Sequence, residues 1–441
     1  MSMLAILLLA QATSGALALA PCTVPGSTET LRCGTLSVPE DPGRPDGRHI
    51  GLRVVVIPAL EPDPAQAPLY DLAGGPGLAA SDSAGFYLTA GAVHRQHRDI
   101  VLVDQRGTGG SAALECPELE GTGSDYPDAA VRACRTGLVA TGADLARYTT
   151  AQTLADLQAV RAALGHGPVD LFGMSYGTRL ALAWIDAEPA AIRSAILVGT
   201  VPDDARVPLF HGRHAQETLD QVFADCEADA ACHADYPDLR AQWATVLARP
   251  DFDGTAREAL RTRLVGTSGQ RALPMQIAAM AAAGSALPSP SAGGPPLAEG
   301  LYLSATCAED TAWIRPGDIA AATDGTFLGD WRIERQRAAC ELWDVPRRVL
   351  AYARNESAVP VLFIAGGRDY VTPVAWARRV AARFPNGKLV EIPYLGHFPE
   401  GVANLGCIDA LITTVAANAD LSALDTTCAA TMTPGAFARP E

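Results

Sequence analysis

Residues 169–182 read VDLFGMSYGTRLAL and place a serine, Ser175, between two glycines at the end of a short apolar run. Residues 169–172 have the composition of a buried strand, and residues 178–185 have the pattern of a helix. Small residues on both sides of Ser175 let a tight strand-to-helix turn form without Cβ clashes, so its hydroxyl would project at the carboxyl edge of a sheet. This context indicates a nucleophile elbow, although the bare GxSxG pattern also occurs in ordinary turns.

Strand and helix patterns alternate on both sides of this stretch. The predicted strands are residues 67–72, 100–103, 169–172, 196–198, 361–364 and 389–392, and the predicted helices are residues 153–164, 178–185 and 373–383. Such alternation predicts the α/β class, with a mostly parallel sheet flanked by helices on both faces.

The alternation stops near Val201 and resumes near Val359. The segment between them contains helix-like pieces and a tract rich in small residues: 216–228, 239–247 and 281–294. We therefore expect an inserted helical cap over residues 201–358. The remaining segments, residues 21–200 and 359–441, would form one catalytic domain.

A serine at its ordinary pKa is a weak nucleophile and needs a base that is itself oriented by an acid. After an elbow of this kind the acid and then the histidine follow along the chain. His397 is the only histidine beyond the later strands, and it follows residues 389–392 directly. Asp369 follows the strand at residues 361–364 and is the predicted orienting carboxylate, with helix N-capping before Pro373 as the alternative.

A glycine-rich turn, Gly74-Gly75-Pro76-Gly77, follows the predicted strand at residues 67–72. Acyl transfer needs two backbone N–H donors for the oxyanion, one from the residue after the nucleophile and one from an early loop such as this. Tyr176 would supply the first donor. Pro76 has no N–H, so the second comes from Gly75 or Gly77, and Gly75 is preferred. A plain turn is the alternative, and the lysine of a phosphate-binding loop is absent.

The segment Asp104-Gln105-Arg106-Gly107-Thr108-Gly109 follows the predicted strand at residues 100–103. It is too polar for an apolar core, and it comes too early in the chain to supply the acid. We expect it to brace the floor of the site through a buried network of Asp and Arg.

The composition is that of a globular protein, with 48% hydrophobic and 19% charged residues. The formal net charge of -15 argues against nucleic acid or an anionic membrane as the main partner, and solubility is its more ordinary use. Lys388 is the only lysine among 34 basic residues and alanine is abundant, which indicates a bacterial source with a GC-rich genome.

Residues 1–20 resemble a secretory signal peptide, because an apolar run at residues 4–10 precedes small residues that end at Ala20. The apolar run is too short to span a bilayer, and no Lys or Arg precedes it. We expect a secreted or periplasmic protein with no stable membrane span.

The ten cysteines favour the same compartment, because an even number of thiols in an exported chain is best explained by disulfides. They fall into near neighbours, which suggests five local pairs: Cys22 with Cys33, Cys116 with Cys134, Cys226 with Cys232, Cys307 with Cys340, and Cys407 with Cys428. The metal alternative has only Cys232-His233 beside Cys226, which is not ligand spacing. We expect no metal and no other cofactor.

Together the motifs GGPG, DQRGTG, GMSYG, GGRDYVTP and the late Gly-His resemble the α/β-hydrolase branch that contains prolyl iminopeptidases and secreted tripeptidyl aminopeptidases. The resemblance runs from about Val24 to Cys428 and is strong in the catalytic domain. It implies an α/β-hydrolase fold and removal of short peptides or single residues from free N-termini. Two loops depart from the family pattern, at Gly199 and at Phe398.

The resemblance also implies that the cap carries carboxylates for the substrate α-ammonium, since a buried ammonium needs a counter-ion. Cys307-Ala308-Glu309-Asp310 resembles a family segment with Glu at this place, so Glu309 is the candidate. A solvated helix or turn carboxylate is the alternative.

Three functions remain open at this point. The first is a secreted serine exopeptidase, and the second is a carboxylesterase or small-amide hydrolase that uses the same triad on a small ester or amide. The third is a catalytically inactive binding protein with the same fold. The presence of Ser175, Asp369 and His397, each where the fold requires it, argues against the third.

Overall fold

A computed structural model describes residues 17–283, 296–350 and 356–440. A nine-stranded sheet forms its centre. The strands are β1 Ala20–Cys22, β2 Leu31–Pro39, β3 His49–Ile57, β4 Leu69–Leu72, β5 Ile100–Val103, β6 Val169–Met174, β7 Ile192–Val198, β8 Val361–Gly366 and β9 Lys388–Ile392. The strand order is β1-β2-β3-β5-β4-β6-β7-β8-β9. Strands β5, β4, β6, β7, β8 and β9 are parallel, and β1, β2 and β3 add an antiparallel edge.

Side chains on successive strand residues point to opposite faces of the sheet, and each face is covered by its own helices. The helices outside the β7–β8 insertion are α1 Ala84–Leu88, α2 Asp128–Ala140, α3 Thr150–Ala163, α4 Tyr176–Ala187, α13 Val374–Ala381 and α14 Gly406–Asn418. Apolar residues of α3, α4 and α13 pack on one face against alternate residues such as Leu171 and Phe363. Apolar residues of α1 and α14 cover the other face. The predicted mostly parallel sheet with helices on both faces is confirmed.

The segment between β7 and β8 is helical. Its helices are α5 His211–Ala228, α6 Ala230–Asp235, α7 Leu239–Leu247, α8 Gly254–Arg263, α9 Thr267–Ala283, α10 Glu299–Glu309, α11 Pro316–Thr323 and α12 Trp331–Trp343. Helices α5 to α9 share an apolar core that also contains Tyr370, which follows β8. The boundaries of the cap at residues 201 and 358 stay a prediction. The small-residue tract at residues 281–294 lies almost wholly outside the described residues.

All five predicted disulfides form in the structure. Cys22–Cys33 ties β1 to β2, and Cys307–Cys340 ties α10 to α12. Residues 1–16 of the predicted signal peptide lie outside the described residues, while Ala20 pairs with Cys33 in the sheet. Across the described part of the chain, every helix is too short or too polar to cross a membrane.

The segment after β5 was expected to brace the floor of the site through a buried network of Asp and Arg, but its Asp and its Arg belong to two separate networks. Arg106 is fully buried and donates to both carboxylate oxygens of Asp156 on α3 at 2.7 Å. Its remaining nitrogen donates to the carbonyls of Glu40 and Arg147. Asp104 accepts instead from Ser81 and Gly110. The loop is therefore held on both sides by buried, charge-assisted hydrogen bonds.

Arg106→Ala should lower the free energy of unfolding by about 3–5 kcal/mol, because it leaves the Asp156 carboxylate buried without a partner. Urea denaturation with the disulfides intact measures this loss. The matched control is Arg378→Ala, since Arg378 makes an exposed ion pair with Glu391 and its removal should leave the urea midpoint unchanged. A loss for Arg106→Ala no larger than for Arg378→Ala would contradict this role.

Candidate active site

Ser175 lies in the turn between β6 and α4 with φ 55° and ψ -124°, a region that residues other than glycine rarely occupy. The two flanking glycines permit this turn. A Cβ on Gly177 would lie 1.9 Å from the carbonyl oxygen of Leu72 in β4, and a Cβ on Gly173 would lie 2.7 Å from the carbonyl oxygen of Gly177. Helix α4 can therefore approach the sheet closely enough to form the predicted elbow only with glycine at these positions.

Asp369 and His397 are joined at the carboxyl ends of β8 and β9. The Nδ1 atom of His397 lies 2.9 Å from Oδ2 of Asp369, and both side chains are buried. A carboxylate at Nδ1 fixes the proton there and leaves Nε2 with a lone pair. Asp369 also accepts from the backbone N–H groups of Val371 and Thr372 at 2.8 and 2.9 Å. These donors hold the carboxylate, while the N-cap of α13 is Pro373, so the capping alternative for Asp369 is wrong.

The helical insertion between β7 and β8 holds the histidine loop in place. The backbone N–H of His397 donates to the carbonyl of Val265 at 2.7 Å, and the N–H of Gly396 donates to Oγ1 of Thr267 at 3.0 Å. Val265 and Thr267 lie at the junction of α8 and α9. The position of the imidazole therefore depends on contacts that the two parts of the chain make together.

The glycine-rich turn after β4 lies against the elbow. A Cβ on Gly74 would lie 3.4 Å from the Cβ of Ser175. Gly75 has φ 106°, which favours glycine, and Tyr176 is the first residue of α4. Gln105 donates to the carbonyl of Ala73 at 2.8 Å and so ties this turn to the bracing segment. The two predicted oxyanion donors thus flank Ser175 on neighbouring backbone segments.

Ser175, His397, Gly74 and Gly75 line one cleft of about 920 Å³. Across the described residues, no hydrogen bond links Ser175 Oγ to His397, and such catalytic contacts are often long until substrate binds. Phe398, the departure from the family pattern beside His397, also lines the cleft and is half exposed.

Glu309 lies away from the cleft. Its two carboxylate oxygens accept from the backbone N–H and the hydroxyl of Thr150 at 2.7 and 2.6 Å, and Arg179 lies 3.8 Å away. Burial raises the pKa of Glu309 to about 7, against the opposing effect of Arg179 and Thr150. The side chain is 3% exposed, so the alternative of a solvated carboxylate is wrong. Binding of a substrate ammonium by Glu309 stays a prediction.

Two residues of the site were missed in the sequence. Thr372 donates its hydroxyl to Asp369, and a Cβ on Gly199 would lie 3.4 Å from the His397 ring and 3.5 Å from the Asp369 carboxylate. The departure from the family pattern at Gly199 was the feature of the sequence that could have identified this glycine as part of the site. Its effect is steric, because a Cβ at this position would lie 2.7 Å from Oγ1 of Thr372, the hydroxyl that donates to Asp369.

A comparison with protein families places residues 72–399 in the α/β-hydrolase fold family. The match covers well over half of the chain. The chain belongs to the α/β-hydrolase family. The mostly parallel sheet and the elbow described above agree with this fold.

Curated relatives of this α/β-hydrolase include two named peptidases. Tripeptidyl aminopeptidase of Streptomyces coelicolor is 25% identical over 92% of this chain and 84% of its own. Serine protease Hip1 of Mycobacterium tuberculosis is 29% identical over 221 residues, which is 45% of this chain and 42% of Hip1, so the match spans less than half of that relative. Among solved structures, the proline iminopeptidase of Mycobacterium smegmatis covers 88% of this chain and all of its own, with a TM-score of 0.45 and 18% identity.

Gly177→Ala should destabilise this α/β-hydrolase by about 3 kcal/mol, because the new Cβ would overlap a backbone carbonyl that cannot move aside. Thermal unfolding followed by circular dichroism measures the effect. Gly137→Ala is the control, since a Cβ at this exposed position in α2 meets nothing within 4 Å and should slightly stabilise the helix. Equal melting temperatures for the two variants would contradict the close approach of α4 to β4.

Proposed function

We propose that the protein is a secreted serine aminopeptidase that releases short peptides or single residues from free N-termini. One observation carries the proposal: Ser175, at a strained elbow, lines the same cleft as His397, whose Nδ1 is held by Asp369. The similarity to the tripeptidyl aminopeptidase of Streptomyces coelicolor over nearly the whole chain supports a peptide as the substrate.

The proposed reaction begins with attack of Ser175 Oγ on the scissile carbonyl while Nε2 of His397 accepts the hydroxyl proton. Asp369 stabilises the imidazolium that forms. The backbone N–H groups of Tyr176 and Gly75 stabilise the oxyanion, assisted by the N-terminus of α4. His397 then protonates the leaving amine, and the same residue activates the water that hydrolyses the acyl-enzyme.

Export is proposed from the disulfides. Five disulfides in one chain are typical of an oxidising compartment, which for a bacterial protein is the periplasm or the exterior. The leader-like residues at the start of the sequence favour the same route.

A carboxylesterase or small-amide hydrolase is the second candidate, and one observation favours it. Most of the side chains that line the cleft are apolar, which suits an apolar acyl group without a charged end. The two candidates use the same catalytic residues and differ in whether the substrate must carry a free amino group. A catalytically inactive binding protein would not need Ser175, Asp369 and His397 to be placed in this way.

Ser175→Ala should lower turnover of a free-N-terminal peptide anilide by roughly three or more orders of magnitude, because the acyl-enzyme cannot form. Release of the chromophore measures turnover. Ser422→Ala, at an exposed serine far along the chain, is the control and should behave as wild type.

The same assay separates the two candidates with N-acetylated peptides and a simple ester. An aminopeptidase should lose its activity when the substrate is acetylated. Equal rates on blocked and free peptides, with the ester cleaved fastest, would instead establish the esterase-like hydrolase. Activity of Ser175→Ala near that of wild type would refute both.

A further inference from the structure

The side chain of Tyr176 is joined to the helical insertion by a chain of buried hydrogen bonds. Its Oη lies 2.8 Å from Oγ1 of Thr150, the first residue of α3. The same Oγ1 donates to one carboxylate oxygen of Glu309 at 2.6 Å, and the backbone N–H of Thr150 donates to the other at 2.7 Å. Each of the three residues has at most 4% of its surface exposed. The chain therefore connects the end of α10 to the first residue of α4.

The single proton of the Thr150 hydroxyl fixes the direction of this chain. Thr150 donates that proton to Glu309, so its oxygen accepts from the hydroxyl of Tyr176. The terminal acceptor is a carboxylate, and hydrogen bonds to an ionised group are shorter and roughly twice as strong as those between neutral groups. Glu309 is thus the anchor of the chain, and Thr150 connects it to Tyr176.

A second buried contact joins the same two helices. Arg179, one turn after Tyr176 on α4, donates to the two carboxylate oxygens of Asp310 at 2.9 and 2.8 Å. Its guanidinium carbon also lies 5.9 Å from the centre of the Tyr176 ring, and its Nη1 lies 3.8 Å from Oε2 of Glu309. The two consecutive acidic residues at the end of α10 therefore contact the first turn of α4 at two points.

The position of Tyr176 matters because its backbone N–H is a proposed oxyanion donor. Such a donor stabilises the transition state only when it lies about 2.7–3.1 Å from the developing oxyanion. A misplacement of about 1 Å can lower turnover roughly 100-fold. A buried side chain that is anchored at its tip restricts the movement of its own backbone. The bonds that hold the Tyr176 hydroxyl therefore also restrict its N–H.

We propose that Thr150 and Glu309 are positioning residues that hold the oxyanion donor Tyr176, so that the insertion acts on the reaction through α10. The proposal rests on the Ser175 hydrolase function proposed above, and it applies to peptide and ester substrates alike. It gives Glu309 a role other than binding of a substrate ammonium. Both of its carboxylate oxygens accept from Thr150, and neither residue is among the described residues that line the cleft with Ser175.

The test breaks the chain at one hydroxyl at a time. Tyr176→Phe keeps the ring and removes only the link to Thr150. Thr150→Val keeps the shape of the side chain and loses its hydroxyl, whereas Thr150→Ser retains the hydroxyl. Tyr236→Phe is the matched control, since Tyr236 is equally buried and donates its hydroxyl to the carbonyl of Ala438 at 2.9 Å. Neither Tyr236 nor Ala438 is among the described residues that line the cleft.

Steady-state kinetics are measured with Ala-Ala-Ala p-nitroanilide and with p-nitrophenyl acetate. Tyr176→Phe and Thr150→Val should each lower kcat and kcat/KM by the same roughly 10- to 100-fold, because a displaced donor weakens binding of the transition state and not of the substrate. The double variant should lose no more than either single variant, because both substitutions break the same link. Thr150→Ser and Tyr236→Phe should keep kcat close to that of wild type.

Binding of a transition-state analogue separates positioning from a purely structural role. The Oγ of Ser175 adds to the carbonyl carbon of phenyl trifluoromethyl ketone, its proton passes to His397, and the carbonyl oxygen becomes an oxyanion that the proposed donors contact. The inhibition constant of the ketone should rise in Tyr176→Phe and Thr150→Val by the factor by which kcat falls. A loss of stability alone, measured as a lower melting temperature, would leave that constant unchanged.

Glu309→Gln distinguishes positioning from recognition of a free amino group. The substitution keeps the shape of the side chain and removes the charge that anchors the chain. It should lower turnover of the peptide and of the ester by the same factor, because the ester carries no ammonium. A loss confined to the peptide would overturn the positioning role and assign Glu309 to the substrate ammonium.

The failures of the two proposals are distinguishable. If wild type hydrolyses neither substrate, or if Ser175→Ala hydrolyses them as fast as wild type, the proposed function fails and this inference fails with it. If hydrolysis depends on Ser175 but Tyr176→Phe behaves like Tyr236→Phe, only the inference fails. Tyr176→Phe leaves both bonds between Thr150 and Glu309 in place, so it decides the question by itself where Thr150→Val does not fold.

Discussion

The close approach of helix α4 to strand β4 governs the geometry of the site. At Gly177 the helix backbone comes so near to the carbonyl of Leu72 that no side chain fits between them. This contact forces the chain to turn sharply at Ser175 and to adopt a positive φ there. Such a conformation persists only where the surrounding structure fixes it, and here the backbone N–H of Ser175 donates to the carbonyl of Val198 in β7 at 2.9 Å. The nucleophile is thus presented by packing, at a cost that the buried core offsets.

The helical insertion between β7 and β8 contributes contacts that position the residues of the candidate site. Val265 and Thr267 of the inserted segment hold the backbone of the histidine loop, and Arg179 of α4 makes a bidentate ion pair with Asp310 at the end of α10. Loss of one partner from a buried charge pair of this kind strongly destabilises the fold, because the other charge is left buried without compensation. Substitutions in the insertion can therefore affect His397 without touching the substrate.

Much of the fold was predictable because apolar runs and glycine positions carry local information. Strand β5 and helix α7 have the predicted bounds, and the motif spacing brought Ser175, Asp369 and His397 to one edge of the sheet. The antiparallel strands β2 and β3 were missed, since their residues mix polar, glycine and apolar positions. The burial of Glu309 was equally hidden. It depends on which distant elements cover the carboxylate, and a local pattern does not contain that information.

Labelling with a fluorophosphonate followed by peptide mass spectrometry would test whether Ser175 is the activated nucleophile. Such a reagent reacts with a serine only when a neighbouring base takes up its proton and an oxyanion site accepts the developing charge. We predict one adduct per chain, on the peptide that contains Ser175, with loss of hydrolytic activity in proportion to labelling. Full activity after treatment, or an adduct on another residue that accounts for the loss, would contradict it.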